Sequence, residues 1–526
     1  MDDLAADSLD LLEIALAIED NLGLTLPHQF LGGARMSNRS HRKRRRIVAG
    51  GLTLLLLLGP SAQAFAESAA EQRLRVLEET LRKTQEEVQE LHRQLDQQKA
   101  ATQETQKKVD EAATSARTAS ADAKKAVSLP DWLSRTTVFG DVRYRHEGFY
   151  HQPHAKKAVV TARNRERIRA RLGVRVALTD ELSATIRGAS GNINDPISTN
   201  ETLTGNFNRK SFNLDWAYLT FTPGQSFGIR PGAIAFTAGK FPNPIFRTDE
   251  MVFDEDISAE GLSQTFQLLG QPLGALDQVK LHALEWTFNE ISNKEDGWMF
   301  GGQVNPSLHF GDLQLEAGLG QYWWLNPDQI AQALSRNTTA FTASGAPVAN
   351  SAFNSSLVNT NLLVTKTIQP PTTTPGKKPA AFTAITGYKS GFNQSNAVLA
   401  ATVPHLVLAQ PLRFWADYIY NWDAATDDAH GWTSGLRLGQ TKVKGDWSVF
   451  GFYEHLGQEA AISAFTFSDF GTAGTNVEGP GVGIEYQLLN PLTISAKGYF
   501  TNFINRPADN TNPTLTRFQL DALVKF

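Results

Sequence analysis

Arginines at nearly every second position between residues 165 and 175 form a pattern that could attract anions. Side chains of a β-strand alternate between two faces, so the stretch RERIRARLGVRVAL separates its charged residues from its apolar ones. So many like charges on one strand face are costly unless water or counter-charges meet them. The stretch FGDVRYRHE, residues 139–147, alternates in the same way. The candidate pore-lining residues are Arg143, Arg145, Arg165, Arg167, Arg169, Arg171 and Arg175.

A short acidic run, Asp254, Glu255 and Asp256, is the candidate counterpart of these arginines. It follows the Asn243-Pro244 turn, and we expect it to lie on a constriction loop that folds inward. Opposed arginine and acidic rows would set a transverse field where a pore is narrowest. An alternative stays open, in which the charges pair across neighbouring strands and serve only to hold the shape of the sheet.

Length and composition exclude several classes of protein. With 526 residues, the chain can form several domains or one very large one. Its one long apolar run, Ile47–Leu58, is about a dozen residues, too short to cross a bilayer as a helix. The absence of cysteine excludes disulfides, thiolate metal sites and cysteine nucleophiles, and the net charge of -4 gives no indication of nucleic-acid binding. A membrane barrel remains compatible, because its strands alternate and look polar on average.

The chain ends on a strand-like stretch, TRFQLDALVKF, whose final residue is a phenylalanine. Polar residues share one face of this stretch, with Leu523 the exception, and apolar residues share the other. A sheet in hydrocarbon must close, because its edge amides would otherwise stay unpaired. The ending resembles the signature of bacterial outer-membrane barrels, which the barrel assembly machinery reads. That resemblance implies an assembly signal at Phe518, Leu520, Val524 and Phe526.

Two segments at the start of the chain differ from the rest. Residues 1–35 contain DSLDLLEIALAIEDNLGLTLP, which resembles the recognition helix of acyl carrier proteins. The resemblance implies a phosphopantetheine arm on Ser8, which we expect to be vestigial because so short a segment cannot fold alone. Residues 36–66 combine a cationic start, an apolar run and Ala-x-Ala exits, the pattern of a signal peptide. We therefore expect Met36 to be the true start, with a genuine fusion as the alternative.

Residues 67–129 show the apolar periodicity of an α-helical coiled coil. Leucines and valines from Leu74 to Val109, then alanines from Ala112 to Ala126, step by three and four in one register. A rod of this length would reach roughly 80–90 Å at about 1.5 Å per residue. Pro130 ends the pattern. A single charged helix is the alternative.

Residues 130–526 resemble the putative porin family of Gram-negative outer membranes, which often places a coiled coil before its barrel. The matching text includes GDVRYRHE, RNRERIRARLG and AGKFPNPIFRTDEMVFDEDISAEG. The resemblance implies an all-β fold, a transmembrane antiparallel β-barrel with a water-filled lumen, and a homotrimer. Roughly 390 residues, less the long loop from Asn326 to Gly387, give about 16 strands at about twenty residues per strand and connection.

The expected function follows from the width of such a barrel. Its own side chains cannot fill it, so we expect passive diffusion of small hydrophilic solutes or ions. The expected location is the outer membrane, among its lipids, with the coiled coil in the periplasm and no cofactor, metal or nucleic acid. Two other classes stay open. One is a tether whose coil spans the periplasm; the other is a barrel enzyme, which scattered histidines without a serine elbow do not support.

Overall fold

The computed structural model describes residues 131–526, except 160, 249, 293–294, 342–346 and 373–377, and seven upstream residues: 79, 82, 83, 86, 89, 93 and 107. The acyl-carrier-like segment, the signal peptide and the apolar seam of the predicted coiled coil lie outside the described residues. The seven upstream residues are helical and exposed. Among the described residues, no helix is long and apolar enough to cross a bilayer.

A closed antiparallel barrel occupies most of the described chain. The strands are β1 (Thr136–Tyr150), β2 (Arg163–Ala177), β3 (Leu182–Ser190), β4 (Glu201–Thr202), β5 (Phe212–Phe221), β6 (Ile234–Pro242), β7 (Ser258–Gln267), β8 (Leu276–Asn289), β9 (Gly297–Phe310), β10 (Leu313–Leu325), β11 (Asn337–Phe341), β12 (Pro347–Ala349), β13 (Leu363–Ile368), β14 (Phe382–Tyr388), β15 (Asn393–Val407), β16 (Gln410–Asn421), β17 (His430–Gly439), β18 (Trp447–Leu456), β19 (Val477–Leu489), β20 (Leu492–Phe503) and β21 (Leu515–Lys525). In this part of the chain, β4 branches from β2, and β11–β12 and β13–β14 form two small hairpins. The other sixteen strands close the barrel through a β1–β21 pairing, which confirms the strand number expected from the sequence.

The two ends of the barrel differ in the length of their connections. At one end, called the turn end here, strands are joined by short connections such as residues 311–312 and 490–491. At the other, the loop end, the connections include residues 191–211, 243–257, 326–392 and 457–476. The long connection 326–392 has structure of its own, because it contains helix α2 (Asp328–Ala333) and the two hairpins. Helix α1 (Asp131–Ser134) precedes β1 at the turn end.

Alternating side chains give the barrel two different surfaces. On β1, Val142 and Tyr144 are 52% and 49% exposed, whereas Arg143 and Arg145 are 6% and 1% exposed. The exposed set points outward and the buried set points into the lumen, as strand geometry requires. An apolar exterior suits hydrocarbon, because the closed sheet pairs its own backbone amides. The outward apolar side chains include Val138, Leu172, Ile186, Leu219, Leu319, Trp323, Trp432, Ile484 and Phe500.

The carboxyl-terminal phenylalanine closes the barrel against β1. The N–H of Gly140 donates to the carbonyl of Phe526 at 2.9 Å, and the N–H of Phe526 donates to the carbonyl of Gly140 at 3.1 Å. Gly140 leaves no room for a side chain here, because a Cβ would lie 2.3 Å from the carbonyl oxygen of Arg171. The apolar face of this last strand is outward and partly exposed at Phe518, Leu520, Val524 and Phe526.

We predict that Gly140→Ala weakens the closure of the barrel, because its Cβ would clash with the backbone of β2. Overpacking of this kind costs about 1–3 kcal/mol of unfolding free energy. The measurement is the midpoint of heat unfolding. Samples are heated to a series of temperatures, and the fraction that keeps the gel mobility of the folded barrel is measured for each. Gly451→Ala on β18 is the matched control, because the nearest atom to its Cβ would be in Val482, at 3.7 Å. Equal midpoints for the two variants would contradict the prediction.

Candidate channel constriction

Loops 243–257 and 457–476 bind each other through backbone groups. The N–H of Asp254 donates to the carbonyl of Phe465 at 3.0 Å, and the N–H of Phe467 donates to the carbonyl of Met251 at 3.1 Å. The N–H of Ser468 donates to the carboxyl group of Asp254 at 2.7 Å. Asp254 is only 1% exposed. The two loops therefore form one layer, which we call the loop layer.

Apolar side chains of the loop layer pack against an aromatic part of the inner wall. The ring of Phe253 lies 6.1 Å from that of Trp286 and 5.6 Å from that of Tyr322, between centroids. The ring of Phe470 lies 5.9 Å from that of Phe452. Burying apolar surface contributes roughly 25 cal/mol per Å² removed from water. This apolar cluster, which the sequence analysis does not identify, keeps the loop layer inside the barrel.

Arginines of β1 and β21 hold loop 457–476. Arg145 donates from Nη1 to Asp469 at 2.8 Å and from Nε to Asp521 at 2.7 Å. Arg517 donates from Nη2 to Asp469 at 2.8 Å and from Nη1 to the carbonyl of Ser468 at 2.6 Å. Burial alone would raise the pKa of Asp469, but Arg145 and Arg517 hold it well below its ordinary 3.8. Asp469 is therefore a charged anchor for this loop.

Arginines of β2 hold loop 243–257. Arg169 donates from Nε to Asp141 at 2.9 Å and from Nη1 to Glu255 at 3.3 Å. Arg171 donates from Nε to Asp141 at 2.6 Å and from Nη1 to Asp256 at 3.1 Å. Burial alone would raise the pKa of Glu255, but the arginines, Arg169 foremost, lower it to about 2. Each arginine thus bridges a carboxylate of the wall and a carboxylate of the loop.

Residues 198–200, in the connection after β3, join the same network. Asp256 accepts hydrogen bonds from the N–H of Thr199 at 2.9 Å and from its hydroxyl at 3.0 Å. Arg143 donates from Nη2 to Oδ1 of Asn200 at 2.7 Å. Thr199 thus joins this connection to the loop layer through Asp256, and Asn200 joins it to the wall through Arg143. Three connections of the loop end therefore meet on one face of the lumen.

The structure brings six of the seven predicted arginines together inside the barrel, on β1 and β2. The side chain of Arg175 is exposed and makes no hydrogen bond or ion pair with the described residues. Glu255 and Asp256 touch the arginine row, so these two rows meet directly instead of facing each other across water. Asp254 has a different position, because its carboxyl group links the two loops.

The network also contains residues that the sequence analysis does not single out as site residues. Glu147 is fully buried on β1 and accepts a hydrogen bond from Nε of Arg517 at 2.9 Å. The alternation of side chains along a strand would predict that Glu147 and Arg517 face the lumen, because they lie on the inward faces of β1 and β21. Asp469 and Asn200 lie in long connections, where no local pattern indicates which wall residue they contact.

Cavities open at two levels of the barrel. One of about 410 Å³ lies beside the loop layer, between Asp195, Lys240 and Trp324. Another of about 680 Å³ lies at the turn end and is bordered by His309 and Arg413. Charged side chains border both, Asp195 and Lys240 the first and Arg413 the second. Within the described part of the chain, no cluster of His, Asp or Glu is placed to bind a metal ion.

The family of this chain is shown by a sequence comparison. The profile of the family described as "Putative porin" matches residues 155–526. This chain belongs to the putative porin family. With its closed barrel, this porin is an outer-membrane channel, and family membership indicates a channel rather than an enzyme. A search of curated protein sequences finds no match.

Solved structures to which this porin is similar share little of its sequence. The high-pH structure of Pseudomonas putida OprB has 12% identity and a TM-score of 0.44, over 75% of this chain and 96% of that chain. Salmonella typhi OmpF in complex with daunomycin has 8% identity and a TM-score of 0.41, over 74% and 97% of the two chains. The trimer form of Vibrio cholerae OmpT has 10% identity and a TM-score of 0.36, over 74% and 99%.

We predict that Arg145→Gln loosens loop 457–476 and raises single-channel conductance, because Asp469 loses one of its two arginine partners. Removing one partner of a buried ion pair also lowers the free energy of unfolding by about 3–5 kcal/mol. The measurements are bilayer recording and the midpoint of heat unfolding. Arg506→Gln is the matched control, since Arg506 is exposed and its side chain is unpaired among the described residues. Wild-type conductance in Arg145→Gln would argue against this anchoring role.

The contact made by Asp254 should depend on pH. Burial raises the pKa of Asp254 well above its ordinary 3.8, and Asp256 adds to the rise. The folded loops favour the protonated carboxyl, so stability is full below about pH 4 and is lost as pH rises through the folded pKa. We predict that the wild type loses unfolding free energy relative to Asp254→Asn as pH rises above about 4. Asp312→Asn, at an exposed turn carboxylate, is the control, and parallel curves for wild type and Asp254→Asn would count against the prediction.

Proposed function

We propose that this porin conducts small hydrophilic solutes and ions passively, through a lumen that its own loops narrow. The observation that carries the proposal is the attachment of the loop layer to the inner wall of a closed barrel. Apolar packing at Phe253 holds the layer against one part of the inner wall, and ion pairs at Asp469 hold it against another part. A constriction held in this way limits solute size, and its charged border favours hydrated solutes.

The proposed lining of this path combines the arginine row with the acidic loop residues. Glu255 is the best placed of the acids to meet solutes, because 48% of its side chain is exposed. The positive charges of Arg169 and Arg171 are largely neutralised, because each forms ion pairs with a carboxylate of the wall and a carboxylate of the loop. The proposed lining consists of Arg143, Arg145, Arg165, Arg167, Arg169, Arg171 and Arg175, and the proposed constriction loop carries Asp254, Glu255 and Asp256.

The proposal includes an export and assembly route. A signal peptide at residues 36–66 would direct export and leave a chain that starts with the coil of residues 67–129. β1 begins at the turn end, and short turns of outer-membrane barrels are periplasmic, which supports a periplasmic coil. Such a coil would also act as a tether. The outward apolar face of β21 supports recognition by the barrel assembly machinery, and outer-membrane lipids and two further copies of the chain complete the proposed partners.

Planar-bilayer recording of protein purified from outer membranes tests the proposed function. We expect discrete conductance steps, and a reversal potential in a salt gradient that reports any preference for anions or cations. Liposome swelling in sugars of increasing size measures the size limit. Heat-unfolded protein is the control. A sample with the heat-sensitive gel mobility of a folded barrel but no conductance steps would overturn the proposal.

A further inference from the structure

Positive charge is not balanced evenly along the arginine row. Nearer the turn end, Arg169 and Arg171 share three carboxylates. Four further arginines have three carboxylates within 4.0 Å among the described residues, and Arg143, which lies opposite Arg169, has none. Over the whole row, seven arginines therefore meet six carboxylates, an excess of one positive charge. The four further arginines are Arg145, Arg165, Arg167 and Arg517, and their carboxylates are Glu147, Asp469 and Asp521.

The missing counter-charge is concentrated at Arg143 and Arg167. Arg143 is 6% exposed and forms no ion pair with any described carboxylate. Arg167 is 8% exposed, and its closest carboxylate, Glu147, lies 3.7 Å away. Glu147 also binds Arg165 and Arg517 at shorter distances. The Nε atoms of Arg143 and Arg167 are buried and have no hydrogen-bond partner in the described part of the lumen.

The two arginines meet at residues 198–200, where a third donor is available. Arg167 donates from Nη2 to Oγ of Ser198 at 3.1 Å and to the carbonyl of Asn200 at 3.4 Å, and Arg143 donates to the side chain of Asn200. Oγ of Ser198 also accepts from Nδ2 of Asn200 at 3.2 Å. Its own hydroxyl hydrogen is not used by any described acceptor. Two guanidinium groups and one hydroxyl in contact at residues 198–200 therefore have unused donors.

We propose that this group of residues binds a small inorganic oxyanion of the phosphate or sulfate type. A buried charge without a partner is costly, so the uncompensated charge at Arg143 favours occupation by an anion. Guanidinium groups form paired hydrogen bonds with oxyanions, which a spherical halide cannot accept in the same way. The bound anion would attach residues 198–200 to β1 and β2 and lie beside the solute path. The site goes beyond the proposed diffusion function, because it implies saturable binding.

Calorimetric titration of the purified full-length protein with sodium sulfate tests the site, with sodium chloride at equal ionic strength as the comparison. We expect saturable sulfate binding by the wild type and by Arg506→Gln, and at least a tenfold weaker affinity in Arg143→Gln. Inorganic phosphate should compete with sulfate. Equal sulfate affinity in wild type and Arg143→Gln, or an equal response to chloride and sulfate, would overturn the proposal.

A second variant, Asn200→Asp, keeps the proposal testable if Arg143→Gln does not fold. It places a carboxylate within reach of the Arg143 guanidinium, where Oδ1 of Asn200 lies now, and so replaces the external anion with an internal one. We expect it to raise the midpoint of heat unfolding at low salt and to abolish sulfate binding. Sulfate binding in Asn200→Asp as tight as in the wild type would overturn the site. Bilayer recordings separate the two proposals, because conductance without saturable sulfate binding refutes the site alone, and binding without conductance refutes the channel alone.

Discussion

The ion pairs between buried arginines of the wall and carboxylates of the loops are the interaction on which this lumen depends. Moving a guanidinium or a carboxylate away from water costs several kcal/mol, unless a partner of opposite charge is held close by. Asp469 and Asp256 supply such partners from two separate loops. A loop that left the wall would separate charges that are buried together. The arginines of the wall therefore determine where loops 243–257 and 457–476 bind inside this porin.

Apolar packing and ion pairing stabilise the loop layer in different ways. The contact of Phe253 with Trp286 and Tyr322 removes apolar surface from water but allows many similar arrangements. The hydrogen bonds that Arg145 and Arg517 donate to Asp469 demand one geometry. Burial of aromatic rings thus keeps the layer inside the barrel, and the guanidinium contacts set its position. The combination explains how two loops with little regular secondary structure can hold one position inside the barrel.

The strands and the closure of the barrel were predictable from the sequence, because their causes are local. Alternation of Arg143 and Arg145 with Val142 and Tyr144 separates a polar lumen from an apolar exterior within one strand. The last strand, with its terminal phenylalanine, could be recognised in the same way, and it pairs with β1. The number of strands followed from chain length. The structure of the connection 326–392 was not predictable, since its hairpins lack a strong period-two pattern.

The arginines and the acidic run could be named from the sequence, because charge and strand alternation are properties of neighbouring residues. Their pairing could not. Arg145 and Asp469 are separated by 324 positions, and only the path of loop 457–476 into the barrel brings them together. The same holds for the two arginines that converge on Asn200. The sequence by itself determines which side chains face the lumen. The tertiary structure alone decides which of them are neutralised there, because that depends on where distant loops fold.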